Sequence, residues 1–388
     1  MRICTLSTGD VVYRYDKSIV VVFEQARKVL STSVLNGGYR EDLSAVFNHN
    51  ISTEATEAGL AVTPRASTYE QHLRSVAQEA GLNPDLSTGM GTAAAMENVA
   101  IREETYENLT VTALVTGGVE VNGGRVGDPA SYFQPIEKRT LLKPGTINII
   151  LVMDADMPPG TLARALVTCT EAKTAALQEL MAGSNYSNGL ATGSGTDQAI
   201  LIANPASPLY LESAGKHSKL GELIGRAVKQ AVQEALRRQT GLSPRQQHSA
   251  LRRLKRFGVR EETLWQEYRA EKELRAEKSE QGSKLIKAQF LEYLSESDRD
   301  DCWVTYTSLY VHLLDQFLWE LLSDAEVTQA GNDLLALAAG RFGVPAPQIG
   351  EPNPPECPVN LTDFIQAWTK LFVRIVDYLS VNRGGVTV

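Results

Sequence analysis

The stretch at residues 189–228 constrains the fold of this chain most strongly, because a glycine-rich loop, a strand and a helix follow one another within it. The loop carries Thr196 and Asp197, and the apolar run at residues 199–203 is typical of a buried strand. From residue 220 to residue 235, apolar side chains recur at three- and four-residue spacing, which predicts an amphipathic helix. The polar residues of this stretch therefore lie between elements of a packed core.

Polar residues also stand directly before the predicted helix. Ser218 is suited to cap its N-terminus, and Glu222 falls in the first turn, where a carboxylate interacts favourably with the helix dipole. His217 would stand at the mouth of this helix N-terminus, where its imidazole is a candidate general base. Lys216 and His217 are also compatible with a plain polar turn that has no catalytic role.

Two further glycine-rich loops each follow a predicted strand. The two strands lie at residues 29–35 and 109–116, and a third short strand is predicted at 45–50. Asn-Gly-Gly sequences tolerate positive φ and let the backbone approach a ligand closely. The candidate residues of these segments are Asn36, Gly37, Gly38, Asn48, Asn122 and Asp128. Together with Thr196, Asp197 and His217 they suggest a site for a polar ligand, and from these residues alone an enzyme and a binding module are equally favoured.

The N-terminal part of the chain contains both strands and helices. A hairpin is predicted at 11–23, a buried strand at 145–153, and helices at 69–80 and 158–181. Strands and helices alternate only in part, so a layered α+β arrangement of the α/β class fits better than a regular doubly wound sheet. Residues 87–94 match a dinucleotide-binding fingerprint, but the segment before them does not resemble a strand, so we interpret them as a small-residue loop.

The character of the chain changes after Arg238. Residues 306–321 and 361–379 each carry a wide apolar stripe at helical spacing, which predicts an all-α C-terminal domain. We therefore expect two domains, at 1–238 and 239–388. Residues 237–260 contain many Lys and Arg but no Asp or Glu, and we interpret them as a solvated helical linker rather than a nucleic-acid surface.

Composition excludes several classes of function. The net charge of −8 and the pI of about 5.4 argue against nucleic-acid binding. The chain shows no apolar stretch long enough to span a membrane and no signal peptide, so we expect a cytoplasmic protein. The four cysteines and five histidines are scattered without metal-ligand spacing, so we expect no protein-bound metal.

Four motifs in series resemble those of the adenosylcobinamide amidohydrolase family, over roughly residues 20–235. They are a Leu-Asn-Gly-Gly motif within 29–38, Thr-Gly-Gly-Val at 116–119 with Gly-Asp at 127–128, a Gly-Ser-Gly-Thr-Asp motif at 193–197, and a Gly-Lys-His motif with the following helix at 215–228. The segment around Asn122 is longer and richer in glycine than the family pattern. The helical region after about residue 240 lies outside the resemblance.

The resemblance implies hydrolysis of the amide that joins aminopropanol to the corrin ring of adenosylcobinamide, giving adenosylcobyric acid in corrinoid salvage. Cobalt would belong to the substrate, and no other cofactor is implied. The implied catalytic residues are His217 as general acid or base, Asp197 as its orienting or water-binding carboxylate, and Thr196 as oxyanion donor or nucleophile. The implied substrate-binding residues are Asn36, Gly37, Gly38, Asn48, Asn122, Asp128, Lys216 and Glu222. An activated water and an acyl-enzyme both remain open.

Two other functional classes remain as alternatives. A non-catalytic corrinoid-binding protein would use the same loops, and an interaction protein would be built around the C-terminal helices, which are also a candidate surface for homo-oligomer formation. A fainter similarity to the fold of β-aminopeptidase and ornithine acetyltransferase implies two sheets between helical layers. By that analogy, Thr110 or Thr112 would be the nucleophile.

Overall fold

The computed structural model describes residues 1–52, 68–130, 145–277, 285–350 and 360–383, with the backbone alone at 275–277 and 383. The chain divides into two compact units, Met1–Pro244 and Arg245–Val388. The first unit is layered α/β and the described part of the second is helical, which confirms the predicted fold class.

The N-terminal unit is built on two sheets. Its strands are β1 (Arg2–Thr5), β2 (Val11–Arg14), β3 (Ser18–Val22), β4 (Lys28–Ser31), β5 (Gly38–Arg40), β6 (Ala45–Asn50), β7 (Ser87–Thr92), β8 (Ala100–Tyr106), β9 (Leu109–Gly117), β10 (Gly123–Gly124), β11 (Ile147–Met153), β12 (Gly193–Ser194) and β13 (Gln198–Ala203). The first sheet has the order β1-β2-β3-β6-β7, and the second has the order β5-β4-β13-β11-β9-β8. Strands β11 and β13 are parallel, as are β6 and β7, and β10 pairs with β12 in a short antiparallel ribbon.

The two sheets pack face to face between helices. The helices of this unit are α1 (Tyr69–Glu79), α2 (Pro159–Glu179) and α3 (Lys219–Thr240), with 3₁₀ turns at Pro84–Leu86 and Met96–Asn98. Alternate residues of β13 point to opposite sides, so Ile200 and Ile202 join the core between the sheets while Leu201 joins the core under α2 and α3. Leu73 of α1 packs on the outer face of the first sheet. The order of layers is therefore helix, sheet, sheet, helix.

Strand β7 corrects the sequence interpretation, which treated residues 87–94 as a loop. It pairs in parallel with β6 along its whole length, and its glycines are needed because side chains of neighbouring residues fill their space. A Cβ on Gly89 would lie 2.1 Å from Cζ of Phe47, and one on Gly91 would lie 2.5 Å from the Tyr69 hydroxyl oxygen. Glycine is therefore required for packing in this strand. The low strand propensity of glycine, taken alone, does not reveal this requirement.

Helix α3 begins where the sequence predicts. The Oγ of Ser218 accepts a hydrogen bond from the Gly221 amide at 3.1 Å, as an N-cap does. The helix continues past Arg238 and ends at Gly241, whose φ of 76° is the left-handed conformation of a C-cap glycine. The two compact units accordingly divide after Pro244, a few residues beyond the expected boundary.

The second unit is a bundle of helices. They are α4 (Pro244–Gln247, at the boundary), α5 (Ala250–Leu254), α6 (Glu261–Glu277), α7 (Lys287–Ser297), α8 (Asp301–Leu318), α9 (Asp324–Phe342) and α10 (Leu361–Arg383), with a 3₁₀ turn at Lys255–Phe257. The two apolar stripes predicted in the sequence lie on α8 and α10. They meet in the core, where the Trp303 and Trp368 rings stack with centroids 4.8 Å apart. No helix within the described residues is long and apolar enough to cross a membrane.

The basic segment is part of this bundle, so its interpretation as a solvated linker was wrong. Leu254 and Phe257 are buried in the core of the bundle. The Arg256 guanidinium donates two hydrogen bonds of 2.6 Å to the Asp315 carboxylate, and both side chains are almost fully buried. Replacing either partner of such a buried bidentate ion pair destabilises the fold, because the remaining charge is left uncompensated.

Candidate active site

The three glycine-rich loops meet at one edge of the second sheet although they are far apart in the sequence. The β10–β12 ribbon pairs Gly123 of the second loop with Ser194 of the third. Strand β4 is antiparallel to β13, so its end at Ser31, which leads into the first loop, comes to the edge where β13 begins. This convergence is the geometric feature that makes the edge a candidate site.

Asp197 holds the third loop through four hydrogen bonds. Its Oδ1 accepts from the Ile147 amide at 2.8 Å and from the Ser194 hydroxyl at 2.6 Å, and its Oδ2 accepts from the Ser194 amide at 3.0 Å. The fourth donor is the ammonium of Lys173 on α2, and each side chain of this ion pair is 12% exposed. A Cβ on Gly193 would lie 2.4 Å from Oδ2, so glycine is required beside the pair.

Thr196 and Asn122 are brought together by one backbone carbonyl. The Thr196 hydroxyl donates to the Gly145 oxygen at 3.1 Å, and Asn122 Nδ2 donates to the same oxygen at 3.0 Å. The Tyr186 hydroxyl donates to Asn122 Oδ1 at 2.8 Å and fixes the orientation of the buried amide. The second and third loops therefore share a single hydrogen-bonded cluster.

The cluster continues into the space between the sheets and reaches Asn48. The Thr146 hydroxyl oxygen lies 2.7 Å from the Thr196 carbonyl oxygen and 3.2 Å from Asn148 Oδ1. Asn148 Nδ2 donates to Asn48 Oδ1, and Asn48 Nδ2 donates to the Thr116 hydroxyl, both at 2.8 Å. Asn48 is 3% exposed, so it contributes to the site as part of this network beneath the loops.

The first loop presents glycine backbone at the same edge. Asn36 has a φ of 47°, and its Nδ2 donates to the carbonyls of Pro84 and Ser87, each at 2.7 Å. Those bonds use both amide hydrogens to hold the loop. Gly37 and Gly38 are exposed. Gly38 has a positive φ, and a Cβ built on it would meet no atom of the described residues within 4 Å. The backbone of the two glycines is the part of this motif accessible to a ligand.

Asp128 closes the second loop. Its Oδ2 accepts from the Arg125 amide at 2.8 Å and from the Ser184 hydroxyl at 2.6 Å. Burial raises the pKa of this carboxyl, but the hydrogen bonds from Ser184, Ser187 and the Arg125 amide outweigh that effect and leave the pKa below its ordinary value. Asp128 therefore acts as a charged acceptor that shapes the loop.

His217 is exposed, and no hydrogen bond or ion pair joins its imidazole to another described residue. The neighbouring Lys216 pairs with Glu171 of α2, with its Nζ 3.1 Å from Oε2. No contact between described residues links His217 to Thr196 or Asp197. The role of His217 as general acid or base therefore stays a prediction.

The first turn of α3 lies at the other end of the sheet. The Lys219 ammonium is 4.5 Å from the ring centroid of Tyr106, the last residue of β8, which is level with the carboxyl end of β11. The hydrogen bond from Lys219 lowers the pKa of Glu222, and Arg226 adds to this effect. Glu222 is thus engaged in surface ion pairs away from the glycine loops, and its role in substrate binding stays a prediction.

The structure adds residues that sequence reasoning missed, chiefly Lys173, Asn148, Ser194 and Tyr186. Two of these residues stand out in the sequence pattern. Asn148 interrupts the apolar strand β11, and Lys173 stands four residues after the buried Cys169 on the inner face of α2. A polar side chain inside an apolar pattern often marks a bonded network, so both positions could have been flagged.

Neither threonine suggested by the aminopeptidase analogy lies in the cluster. Thr110 and Thr112 belong to β9, where Thr112 is buried and donates to Glu103 Oε2 at 3.2 Å. The Thr110 hydroxyl oxygen lies 3.1 Å from that of Thr105. Both are near the end of β11 that is opposite to the glycine loops.

The N-terminal unit, which carries this edge, matches a known protein family. The model of one family, described as adenosylcobinamide amidohydrolase, matches residues 4–244. The chain belongs to the adenosylcobinamide amidohydrolase family. This confirms the resemblance seen in the motifs and extends it over the whole N-terminal unit, while the helical unit lies outside the match.

Individual proteins are similar to parts of this chain. An uncharacterized protein of Methanocaldococcus jannaschii is 33% identical over 234 residues, which cover 58% of this chain and 87% of the relative. An adenosylcobinamide amidohydrolase of Methanosarcina mazei is 30% identical over 210 residues, covering 52% and 86%. A crystal structure of a Pyrococcus horikoshii protein aligns with 56% of this chain and 76% of its own, with 14% identity and a TM-score of 0.26.

Within the described ranges, no group of three or more His, Cys, Asp or Glu side chains is placed to hold a metal ion. The expectation that the protein itself needs no metal or other cofactor stays a prediction.

Proposed function

We propose that the N-terminal unit hydrolyses the amide bond that joins aminopropanol to the corrin ring of adenosylcobinamide. Water supplies a hydroxyl to the carbonyl carbon and a proton to the amine nitrogen as the C–N bond breaks. The products are adenosylcobyric acid and aminopropanol, so the reaction belongs to corrinoid salvage. The family match over residues 4–244 is the observation that carries this proposal.

The geometry of the loop edge supports it. A corrinoid is large and carries many neutral amides, so it needs a surface with several amide-sized donors and acceptors. Exposed backbone at Gly37 and Gly38 lies at the same edge as the cluster of Asn122 and Thr196. We infer that the corrin ring lies across these loops with its aminopropanol arm directed toward Thr196.

Among the residues of the cluster, Thr196 is arranged as a donor. Its hydroxyl is directed at the Gly145 oxygen, and no imidazole or carboxylate of the described residues accepts its proton. A nucleophile needs such a base, whereas an oxyanion donor does not. We therefore favour attack by water, with the Thr196 hydroxyl turning to the substrate carbonyl as negative charge develops on it.

Asp197 then acts by positioning. Its two oxygens already accept four hydrogen bonds, which occupy the lone pairs of a carboxylate and leave no acceptor position for an attacking water. Its contact with Lys173 keeps an ammonium beside the third loop, where a positive charge favours the oxyanion. His217 directly precedes the first turn of α3, which lies at the other end of the sheet, so its role as the base that activates water stays a prediction.

The proposal is tested with the purified full-length protein, adenosylcobinamide and a chelator, with both products measured by mass spectrometry. We expect adenosylcobyric acid and aminopropanol in equal amounts. The replacement Thr196→Val keeps the volume of the side chain and removes the donor, so kcat should fall about 10²-fold or more while the fold is kept. Corrinoid binding without amine release in the wild type would instead identify a non-catalytic binding protein.

His217 is tested separately because its surroundings do not support its role. A general base typically contributes 10²- to 10⁴-fold to the rate, so His217→Ala should lower kcat by at least 10²-fold if the assignment is correct. Glu212→Ala, at an exposed position of the same segment that has no role in the proposed site, is the matched control. Near-normal turnover of His217→Ala would remove His217 from the mechanism and leave the proposed reaction itself standing.

A further inference from the structure

One polar atom at the loop edge is buried without a hydrogen-bond partner. It is Oε1 of Gln198, the first residue of β13, which directly follows the loop of Thr196 and Asp197. No side-chain hydrogen bond of Gln198 occurs among the residues that the structure describes. Buried acceptors are almost always paired, so an unpaired one beside a candidate site requires an explanation.

The direction of the Gln198 side chain follows from the alternation of β13. Ala199 belongs to the core under the helices and Ile200 to the core between the sheets, so Gln198 points to the space between the sheets. Its register partner on β11 is Asn148, which carries the hydrogen-bonded network under the loops. Gln198 thus stands at the end of the sandwich where β13 begins, beside that network.

The neighbouring polar groups have partners of their own. Asn148 Nδ2 donates to both Asn48 Oδ1 and the Gly91 carbonyl, and Asn148 Oδ1 lies 3.2 Å from the Thr146 hydroxyl. An unpaired buried acceptor lowers stability, whereas an apolar side chain of the same size would remove that penalty. A hydrogen bond from a group other than the protein would remove the penalty of the unpaired Gln198 amide oxygen.

We propose that Gln198 is a substrate-recognition residue whose Oε1 accepts a hydrogen bond from an amide N–H of the corrinoid. This inference rests on the proposed function and names a contact within it. Two N–H sources share this chemistry, namely the scissile amide of the aminopropanol arm and the peripheral carboxamides of the ring. Both are neutral donors, which suits a buried neutral acceptor better than a charged ligand would.

The test is Gln198→Met, which keeps the length of the side chain and removes the acceptor. Loss of one neutral hydrogen bond to substrate should raise KM roughly two- to tenfold. The melting temperature should stay the same or rise, because an unsatisfied buried group has been removed. The matched control is Gln178→Met, since Gln178 is also half-buried but donates to the Ala191 carbonyl at 3.4 Å. It should leave KM unchanged.

Inhibition by adenosylcobyric acid distinguishes the two N–H sources. If Gln198→Met weakens product binding as much as it raises KM, the ring carboxamides supply the N–H. If only KM for adenosylcobinamide rises, the scissile amide supplies it. An unchanged KM, or a fall in melting temperature together with kcat, would overturn the inference. The proposed function is judged on the wild type alone, so its failure is visible before any variant is measured.

Discussion

The ion pair between Lys173 and Asp197 allows the sharpest test of how the loop edge is built. In Asp197→Asn, the amide nitrogen must replace one of two oxygens that each face two donors. Placed at Oδ2, it would meet the Lys173 ammonium and the Ser194 amide with no acceptor between them. Breaking a buried pair by changing one partner costs about 3–5 kcal/mol. Because both side chains are 12% exposed, water can restore part of the hydration of Lys173, so we expect about 3 kcal/mol.

That loss corresponds to a fall in melting temperature of about 6–12 °C for a unit of this size. All four tryptophans lie in the C-terminal unit, so tryptophan fluorescence follows that unit while far-UV circular dichroism follows both. The change should lower the melting temperature of the N-terminal unit. That unit contributes to the dichroism transition but not to the tryptophan fluorescence transition. Combining Asp197→Asn with Lys173→Met should recover about 1–3 kcal/mol relative to the sum of the single changes.

The exposed pair of Lys219 and Glu222 supplies the control. Glu222→Gln should leave the melting temperature unchanged within error, since exposed pairs contribute little to stability. If Asp197→Asn melted within about 1 °C of the wild type, or if the two changes were additive, the pair would not hold the third loop. The positioning role given to Asp197 would then have no support.

Three further predictions follow from other parts of the structure. The hydrogen bond from Arg237 lowers the pKa of Glu234 to about 2. The stability that the Glu234 carboxylate contributes is therefore complete above about pH 5 and is lost as the pH falls toward 2. The difference in melting temperature between wild type and Glu234→Gln should shrink over that range. Gly89→Ala should lower stability by about 1–3 kcal/mol in urea unfolding, because its Cβ would overlap the Phe47 ring, and Phe47→Leu should partly restore it; equal stability of Gly89→Ala would contradict the packing argument. A chain that lacks residues 245–388 should fold and keep the proposed amidohydrolase turnover of the full chain, whereas aggregation with loss of the dichroism transition would show that the N-terminal unit needs the bundle.

The elements that sequence patterns predicted correctly are those whose pattern repeats locally. Helix α3 combines a three- and four-residue apolar period with a capping serine, and strands β9, β11 and β13 are apolar runs of strand length. The error at β7 arose because Gly89 and Gly91 disfavour a strand when considered alone. Only the positions of Phe47 and Tyr69, which fill the missing side-chain volume, explain why glycine is suitable there.

The candidate site was predictable in part. The loops that carry Asn36, Asn122 and Thr196 were recognised from their glycines, and the structure brings them to one edge. His217 was placed beside Asp197 by reasoning from a sequence motif, but no contact between described residues joins the two. A motif gives the order of residues along the chain, and order does not fix which side chains meet.

The sequence by itself determined the fold class, the helical character of the second unit and the family, because each depends on residue types at short, regular spacings. Tertiary structure alone decided that Lys173 pairs with Asp197, that Asn148 links Asn48 to Thr146, and that Oε1 of Gln198 has no partner among the described residues. The physical reason is that side-chain hydrogen bonds join residues far apart in the chain. Their pairing is set by strand register and by the packing of α2 on the sheet, neither of which local periodicity encodes.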